Sequence, residues 1–267
     1  MTRRDRPDET LAVYCGSLGL PAAPPGSSQR AARLRQIARA HLARVPYENV
    51  SKWLAFGRGV PAAFDAARFV RELREHGLGG TCFRLAVACA YLLRGLGYDA
   101  ALVSAPAGGH AAVVVTLAGD RYLVDVGFFA PFWEPVPLTH ATTWQGALGT
   151  FEVAPHGEEV TLRRPSGTTR LLALQAASEA EVWGQWADSC VPGHRLFPRA
   201  VVLQRVSADT AWSLFDLSLH TVTAAGLQER TLTRAAARRV VRDICGVDAD
   251  LWDEALALRE RLAAAQG

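Results

Sequence analysis

The 267-residue sequence predicts an α+β protein. Apolar residues recur at helical spacing in the N-terminal part, they alternate with polar residues in the middle of the chain, and helical spacing returns near the C-terminus. An apolar fraction of 49% beside a charged fraction of 21% is typical of a globular chain with a sizeable core. The length allows one large domain or two smaller ones.

Three helices are predicted in the N-terminal part. They cover residues 28–44, 63–75 and 83–95. The first follows a Pro/Gly/Ser-rich breaker and must end before Pro46, because proline disfavours the α conformation in the residue that precedes it. The stretch PYENVSKW that follows is predicted to be an ordered connector. The third helix is apolar on most faces, so we expect it inside the core.

From residue 99 onward the alternating pattern predicts strands. Those in the middle of the chain cover residues 99–105, 110–118, 121–128, 150–155, 159–164 and 169–174. Later strands are predicted at 199–206, 211–218 and 220–226, and further helices at 178–189, 233–246 and 248–265. No internal repeat is present in the sequence.

The second and third predicted strands form a hairpin. Gly119 and Asp120 are predicted to be its two-residue turn. In that register Val114 lies opposite Asp125, and His110 lies on the same face as Asp125. The register leaves the last two side chains about 13 Å apart along an ideal strand. A bulge, a shifted turn or strong coiling is then needed to bring them into contact.

The composition disfavours several classes of protein. No uncharged apolar run has the length of a membrane span, and the start MTRRDRPDET lacks the apolar core of a signal peptide, so we expect a cytoplasmic protein. The five cysteines are scattered and odd in number, which favours reduced thiols, and no metal-ligand spacing occurs, so no metal is expected. A net charge of +3 with dispersed arginines does not favour nucleic-acid binding, and Lys52 is the only lysine.

Cys82 has unusual neighbours in the stretch GLGGTCFRLA. Two glycines permit a tight turn, and the helix predicted to begin near Phe83 directs its free N–H groups and the positive end of its dipole toward the sulfur. Such surroundings lower the pKa of a thiol, and the thiolate is the nucleophile. A cysteine that only fills space is the alternative, and Cys89 on the same helix is expected to be one.

A nucleophilic cysteine needs a base and a group that orients the base. His110 begins a predicted strand, and Asp125 interrupts the apolar strand RYLVDVGF, where a carboxylate is costly unless it is paired. For each residue alone, a structural role remains the alternative. His110 would then be a hydrogen-bonded histidine at the end of a strand, and Asp125 a buried, hydrogen-bonded carboxylate. Together with Cys82, the two residues supply the base and the orienting group of a nucleophilic site.

Four segments together resemble the arylamine N-acetyltransferase family. In chain order they are HLARVPYENV, GGTCF, HAAVVV and RYLVDVGF. In that family a cysteine, a histidine and an aspartate form a catalytic triad, and the matching residues here are Cys82, His110 and Asp125. The resemblance covers most of the chain, and the segment DSCVPGHRLFPRAVVLQRV also looks like the family.

The resemblance implies a helical bundle, a β-barrel and a C-terminal α/β lid around a core like that of cysteine proteinases. In this chain they would cover residues 1–98, 99–200 and 201–267, with the nucleophile on the bundle and the other two triad residues on the barrel. The implied reaction is a ping-pong acyl transfer from a thioester to an amine. Cys82 would carry the acyl group, His110 would move the protons, and Asp125 would fix the tautomer of the imidazole.

The resemblance also implies the partners of the site. The expected acyl donor is a coenzyme A thioester, acetyl-CoA by default, with an acyl carrier protein thioester as the alternative. The other partner is a small-molecule amine or acyl substrate. Candidate substrate-binding residues are Tyr47, Phe83, Phe128 and Phe129, and candidate cofactor-binding residues are Gly108 and Gly109.

The chain departs from the family pattern at three positions. The family usually reads Arg-Gly-Gly-x-Cys-x-Glu around its nucleophile, whereas Leu78 and Arg84 stand at the two charged positions here. Because both members of an ion pair change together, no buried charge is left without its partner. We favour a solvated Arg84 over an Arg84 with a new contact to an acidic residue or to the acyl donor. Phe129 replaces a family glycine, which leaves the choice of substrate open. Trp183 and Trp186 are expected in the core.

Three other functions remain open from the sequence. The altered motif suits an amide synthase that releases acyl chains from carrier proteins. The second is hydrolysis, since a Cys-His-Asp triad also serves peptidases and transglutaminase-like enzymes. The third is a binding module that keeps the fold without the activity.

Overall fold

A computed structural model describes residues 9–106, 108–128, 132–146, 148–167 and 169–266. Its helices are α1 (Glu9–Ser17), α2 (Arg30–Arg44), α3 (Val50–Arg58), α4 (Ala66–His76), α5 (Cys82–Gly95), α6 (Glu179–Asp188), α7 (Arg234–Val240) and α8 (Ala249–Gln266). A 3-10 turn at Ser27–Gln29 precedes α2, and a π-helical turn at Val241–Cys245 follows α7. None of the helices in these ranges is long and apolar enough to cross a lipid bilayer.

The strands form two antiparallel sheets. They are β1 (Tyr47–Glu48), β2 (Asp99–Ser104), β3 (Ala111–Leu117), β4 (Asp120–Val124), β5 (Val136–Pro137), β6 (Thr142–Gly146), β7 (Gly149–His156), β8 (Glu159–Arg163), β9 (Thr169–Ala177), β10 (Val202–Val206), β11 (Ala211–Phe215), β12 (Ser218–Thr223) and β13 (Gly226–Thr231). The larger sheet has eight strands in the order β5-β4-β3-β2-β9-β8-β7-β6 and curls into a nearly closed barrel. The smaller sheet has five strands in the order β1-β10-β11-β12-β13. The predicted α+β class is confirmed.

The smaller sheet joins distant parts of the chain. Strand β1 pairs antiparallel with β10, so that Tyr47 lies opposite Gln204. A strand from the predicted N-terminal bundle therefore belongs to the sheet of the predicted lid. The three segment boundaries expected from the sequence stay predictions.

Helix α5 lies at the centre of the structure. It packs against the helices α1, α4 and α6 and against β2 and β3 of the barrel. Its apolar side chains belong to the largest buried cluster, which also takes in residues of α1, α2, α4 and α6. The expectation that this helix lies inside the core is confirmed, because almost every face of it is covered by another element.

The connector predicted at PYENVSKW contains more regular structure than expected. It holds β1 and the first residues of α3. The Asn49 side chain makes no capping bond at the start of α3; it donates to the Ala200 carbonyl at 2.9 Å and accepts the Val202 N–H at 2.7 Å, so tertiary contacts hold this helix start. Helix α1 is also absent from the sequence-based prediction. The helix predicted from residue 63 begins instead at Ala66, because Asp65 caps it.

The turn of the β3–β4 hairpin differs from the prediction. Leu117 pairs with Asp120, so the two turn residues are Ala118 and Gly119 rather than Gly119 and Asp120. Ala118 has a φ of 55° and Gly119 a φ of 91°, which is the backbone of a type I′ turn. The sequence-based register is wrong because alanine rarely adopts a positive φ, and its presence in the turn was therefore not predicted. The pairing moves by two residues along β4.

Two buried polar side chains in the helical part satisfy each other. His41 of α2 is 1% exposed, and its Nε2 lies 2.9 Å from the Tyr14 hydroxyl of α1. Burial lowers the pKa of His41 from 6.5 to about 3, so the ring is neutral at physiological pH. A folded-state pKa below the unfolded one means that protonation favours the unfolded chain as the pH falls from 6.5 toward 3.

We therefore expect His41 to make the fold acid-sensitive. Its free energy of unfolding should fall by about 2 kcal/mol between pH 8 and pH 5 on account of this one group. In a His41→Gln variant, which keeps a neutral polar side chain but cannot titrate, that loss should shrink by the same amount. Urea unfolding at the two pH values measures it. An equal loss in both proteins would show that His41 does not carry the effect.

Candidate active site

Cys82 is the first residue of α5, and the tightly packed glycines Gly79 and Gly80 precede it in the chain. A Cβ on Gly79 would lie 2.1 Å from the Pro46 carbonyl oxygen, and Gly80 has a φ of 123°. The Gly80 carbonyl accepts the Glu48 N–H of β1 at 3.1 Å. These residues are glycines because the loop before α5 passes directly against the chain at β1, where there is no space for a side chain.

The barrel approaches the cysteine from the other side. A Cβ on Gly127, just after β4, would lie 2.6 Å from the Cys82 Cα. The Gly127 N–H donates to Asp125 Oδ1 at 3.0 Å. The start of α5 and the end of β4 are therefore in backbone contact, and this contact brings the Cys82 thiol to the barrel wall.

His110 and Asp125 are in direct contact. His110 Nε2 lies 2.6 Å from Asp125 Oδ2, and both residues are buried. If the observed pairing of β3 and β4 is continued, Asp125 lies opposite Ala112. Ala112 is two residues after His110, so the His110 and Asp125 side chains lie on the same face of the sheet. Such diagonal neighbours lie about 7–8 Å apart at the backbone, within reach of long side chains. The shifted turn removes the 13 Å separation of the predicted register.

The Cys82 thiol completes the cluster. It hydrogen-bonds to the His110 ring and accepts the Ala111 N–H, and its Sγ lies 3.9 Å from the Gly109 carbonyl oxygen. Because Asp125 occupies Nε2 of the ring, Nδ1 is the nitrogen left for the sulfur. The structure therefore brings together all three residues that the sequence marked as nucleophile, base and orienting group.

The charges in this cluster favour an ionised pair. Burial alone would raise the pKa of the Cys82 thiol, but the hydrogen bond and charge of His110, the charge of Lys52 and the Ala111 N–H lower it below its usual value. Burial opposes a charged His110 ring, but the charge and hydrogen bond of Asp125, aided by Cys82, raise its pKa to about 10. Near neutral pH these shifts favour thiolate and imidazolium over thiol and imidazole.

A model of the protein family described as N-acetyltransferase matches residues 31–251 of this chain. The chain belongs to the arylamine N-acetyltransferase family. It is therefore an acyltransferase. No curated protein matches the sequence.

Solved arylamine N-acetyltransferases share the fold. The enzyme from Mycobacterium abscessus is 23% identical over 95% of this chain and 94% of its own, with a TM-score of 0.77. The Mycobacterium marinum enzyme in complex with CoA is 21% identical over 94% of this chain and 98% of its own, with a TM-score of 0.76. A Bacillus cereus enzyme with a Cys-His-Glu catalytic triad is 19% identical over 90% and 99%, with a TM-score of 0.74.

The candidate substrate-binding residues of this arylamine N-acetyltransferase differ in how far they are buried. Phe128 is 1% exposed, and its ring centroid lies 5.3 Å from that of His110. Phe83 is also 1% exposed and belongs to the central core cluster. Tyr47 is half-buried beside Cys82, and burial raises the pKa of its hydroxyl. Phe129 lies outside the described residues.

The candidate cofactor-binding glycines form the loop before His110. Gly108 has a φ of 69° and Gly109 a φ of 107°, which is a backbone that favours glycine. The guanidinium of Arg195 lies beside both, 3.2 Å from the position of a Cβ on Gly108. This loop therefore lies next to the triad with a cation against it.

Packing explains two of the departures from the arylamine N-acetyltransferase motif, those at Arg84 and Leu78. Arg84 is buried rather than solvated, and its guanidinium pairs with Glu72 of α4 at 2.7 Å. Its Cζ also lies 5.2 Å from the Phe69 ring centroid. The solvated interpretation is wrong because the neighbouring helix supplies the acidic partner. Leu78 is buried in the cluster beneath the smaller sheet, so an apolar residue suits its site.

The expected packing residues lie in the core. Trp183 and Trp186 are buried with ring centroids 4.4 Å apart, and Trp183 Nε1 donates to the Pro61 carbonyl at 2.9 Å. Cys89 is fully buried, and burial raises the pKa of its thiol to about 12. Its thiol is therefore neutral, in contrast to that of Cys82 seven residues earlier on the same helix.

Two cations beside the candidate substrate-binding phenylalanines are absent from the sequence-based prediction of the site. Arg164, after β8, donates to the Phe128 carbonyl, and its Cζ lies 4.4 Å from the Phe128 ring centroid. Lys52 of α3 is 5% exposed, with its Nζ 6.0 Å from the Phe83 ring centroid. A signal for Lys52 exists in the sequence, since it is the only lysine and interrupts the apolar stretch VSKWLAF.

Proposed function

We propose that this enzyme transfers an acyl group from a coenzyme A thioester to an amine by way of a Cys82 thioester. The observation that carries the proposal is the single His110 ring that hydrogen-bonds to both Cys82 and Asp125. That arrangement combines a nucleophile, a base and an orienting carboxylate in one buried cluster.

In the first half-reaction the Cys82 thiolate attacks the carbonyl carbon of the donor thioester. The tetrahedral intermediate collapses, the bond to the coenzyme A sulfur breaks, and the departing thiolate takes the proton of the His110 imidazolium. Cys82 is then acylated and His110 is neutral. Backbone N–H groups at the start of α5 are candidate donors to the oxyanion, because that end of a helix presents unpaired N–H groups.

In the second half-reaction the amine attacks the Cys82 thioester. His110 accepts the proton of the attacking nitrogen, the carbon–sulfur bond breaks, and the amide leaves while the thiolate–imidazolium pair re-forms. Asp125 holds the ring so that Nδ1 faces the sulfur. It also stabilises the imidazolium, both in the resting enzyme and after the ring has accepted the proton of the amine.

Acetyl-CoA is the donor that we propose by default. Its support is the family and the Mycobacterium marinum relative that was solved in complex with CoA. The Leu78 and Arg84 changes that suited a carrier-dependent amide synthase are accommodated by Glu72 and the core, so they do not favour that alternative. A carrier-bound donor becomes an outcome of the test.

The test is the intact mass of the protein after incubation with acetyl-CoA or, separately, with an acetylated acyl carrier protein. We expect one acetyl group on the wild type with acetyl-CoA, none on Cys82→Ala, and loss of the adduct when an arylamine is added. Loading only from the carrier would favour the amide synthase. Loss of the adduct in water as fast as with amine would favour a hydrolase, and an adduct on Cys82→Ala would overturn the nucleophile.

A further inference from the structure

The Arg84 side chain connects the first turn of α5 to α4. Its guanidinium donates to Glu72 Oε2 at 2.7 Å, and its Cζ lies 5.2 Å from the ring centroid of Phe69, which is also on α4. The other carboxylate oxygen of Glu72 accepts a hydrogen bond from Arg68 at 2.7 Å. The Arg84 side chain is only 7% exposed, and a buried guanidinium is costly without an acidic partner. Glu72 therefore holds the charged end of this side chain in place.

The aliphatic part of the Arg84 side chain packs against the loop that precedes the nucleophile. A Cβ on Gly80 would lie 2.8 Å from Arg84 Cδ and 2.9 Å from Arg84 Cβ, so the loop and the side chain are in close contact. The Gly80 carbonyl also accepts the Glu48 N–H of β1 at 3.1 Å. The position of this loop therefore depends on β1 and on the Arg84 side chain.

Cys82 and Arg84 project from opposite sides of the first turn of α5. Consecutive residues of an α-helix are about 100° apart around its axis, so residues two positions apart differ by about 200°. On the Cys82 side, Gly127 of the barrel lies against the helix backbone. On the Arg84 side, the ion pair binds the helix to α4. The turn that carries the sulfur is therefore held between the barrel and α4.

We propose that Glu72 and Arg84 are positioning residues that hold the Cys82 thiol next to the His110 ring. The proposal rests on the proposed function of Cys82 as the nucleophile. Both residues act through the start of α5 and the loop before it, and not on the substrate. Since the family usually has glutamate at the position of Arg84, its pattern does not predict this contact with α4.

Without Glu72 the Arg84 guanidinium has to move. It would turn toward water or toward Glu48 of β1, the other carboxylate that attracts it, whose Oε1 has no hydrogen-bond partner among the described residues. Either movement takes the side chain away from Gly80 and loosens the start of α5. The sulfur then moves away from the His110 ring, whose hydrogen bond and charge lower the pKa of the thiol.

The test is the pH profile of Cys82 alkylation by iodoacetamide, which needs no acyl donor. We expect Glu72→Met to raise the midpoint by about one pH unit and to slow alkylation about tenfold on the acidic side of both midpoints. The direction is decisive, because loss of a negative charge alone would favour the thiolate and lower the midpoint. Glu75→Met is the matched control, since it removes an exposed carboxylate from the same helix.

A double variant tests whether Glu72 acts through Arg84. Arg84→Met alone should also raise the midpoint, because the start of α5 loses its bond to α4. Adding Glu72→Met to Arg84→Met should then change the alkylation rate by about twofold or less, since the two residues form one interaction. Thermal unfolding of each variant shows that the protein whose alkylation is measured is folded.

Each result decides the proposal. A folded Glu72→Met protein whose midpoint is unchanged or lowered would overturn it, and so would a rise that Glu75→Met reproduces. An effect of Glu72→Met that is equally large with and without Arg84 would overturn it as well. If Glu72→Met does not fold, Glu72→Gln takes its place, with a rise expected in the same direction. A protein that alkylates as expected but accepts no acetyl group would overturn the proposed function and leave this role of the ion pair standing.

Discussion

Replacing Asp125 with Asn should lower kcat/KM for acetyl transfer by about 10³- to 10⁴-fold. The amide has nearly the same shape, but it carries no charge and its NH₂ group can donate a hydrogen bond to the ring. His110 would then lose the group that stabilises its imidazolium, and its Nε2 would be driven toward the wrong protonation state. The rate of acetyl transfer from acetyl-CoA to an arylamine measures the loss.

The rate of Cys82 alkylation tests the same effect without an acyl donor. The pKa of His110 is raised to about 10 largely by Asp125, so in Asp125→Asn the thiolate–imidazolium pair should give way to neutral partners, and alkylation of Cys82 below pH 7 should slow as well. His110→Asn should slow it in the same way. Asp99→Asn, an exposed carboxylate of β2, is the control for loss of one negative charge. Activity of Asp125→Asn within a few fold of wild type would rule out the triad.

Gly127→Ala should have the second largest effect. The added methyl would lie 2.6 Å from the Cys82 Cα and 2.8 Å from its Cβ, and these atoms cannot give way unless the start of α5 moves. The start of α5 must therefore move away from the barrel and carry the sulfur away from His110. Since displacements near 1 Å can cost about 10²-fold in rate, we expect a loss of that order in acetyl loading.

Gly184→Ala provides the comparison for this variant. Gly184 lies within α6, and a Cβ there meets no atom within 4 Å, so alanine should be neutral or stabilising in the helix. Intact-mass loading rates and thermal unfolding of the two variants should differ accordingly. If Gly127→Ala loads acetyl groups as fast as Gly184→Ala, the close contact between β4 and α5 does not position Cys82.

The hairpin illustrates where sequence reasoning stops. The alternation of apolar residues predicts both strands, and the observed bounds agree to within a few residues. The register depends on which residues form the turn, and a one-residue difference in the turn moves the paired strand by two positions. Ala118 takes a positive φ that its side chain disfavours, so packing rather than local preference sets this turn.

Arg84 illustrates a second limit. The sequence shows that both charged positions of the family motif have changed, and it indicates that the two changes compensate each other. It does not show that Glu72, twelve residues earlier on another helix, is the new partner, because that pairing depends on how α4 packs against α5. Charged residues are usually solvated, and only the packed helices bury this one.

The sequence by itself predicts most of the helices and strands, although not α1, β1 or α3, and it predicts the family and the identity of the candidate nucleophile, base and carboxylate. These depend on periodicity and on residue types within short windows. The tertiary structure alone decides the contact between His110 and Asp125, the partner of Arg84 and the burial of Lys52. These depend on distances between segments far apart in the chain, which packing and register set and which local pattern does not encode.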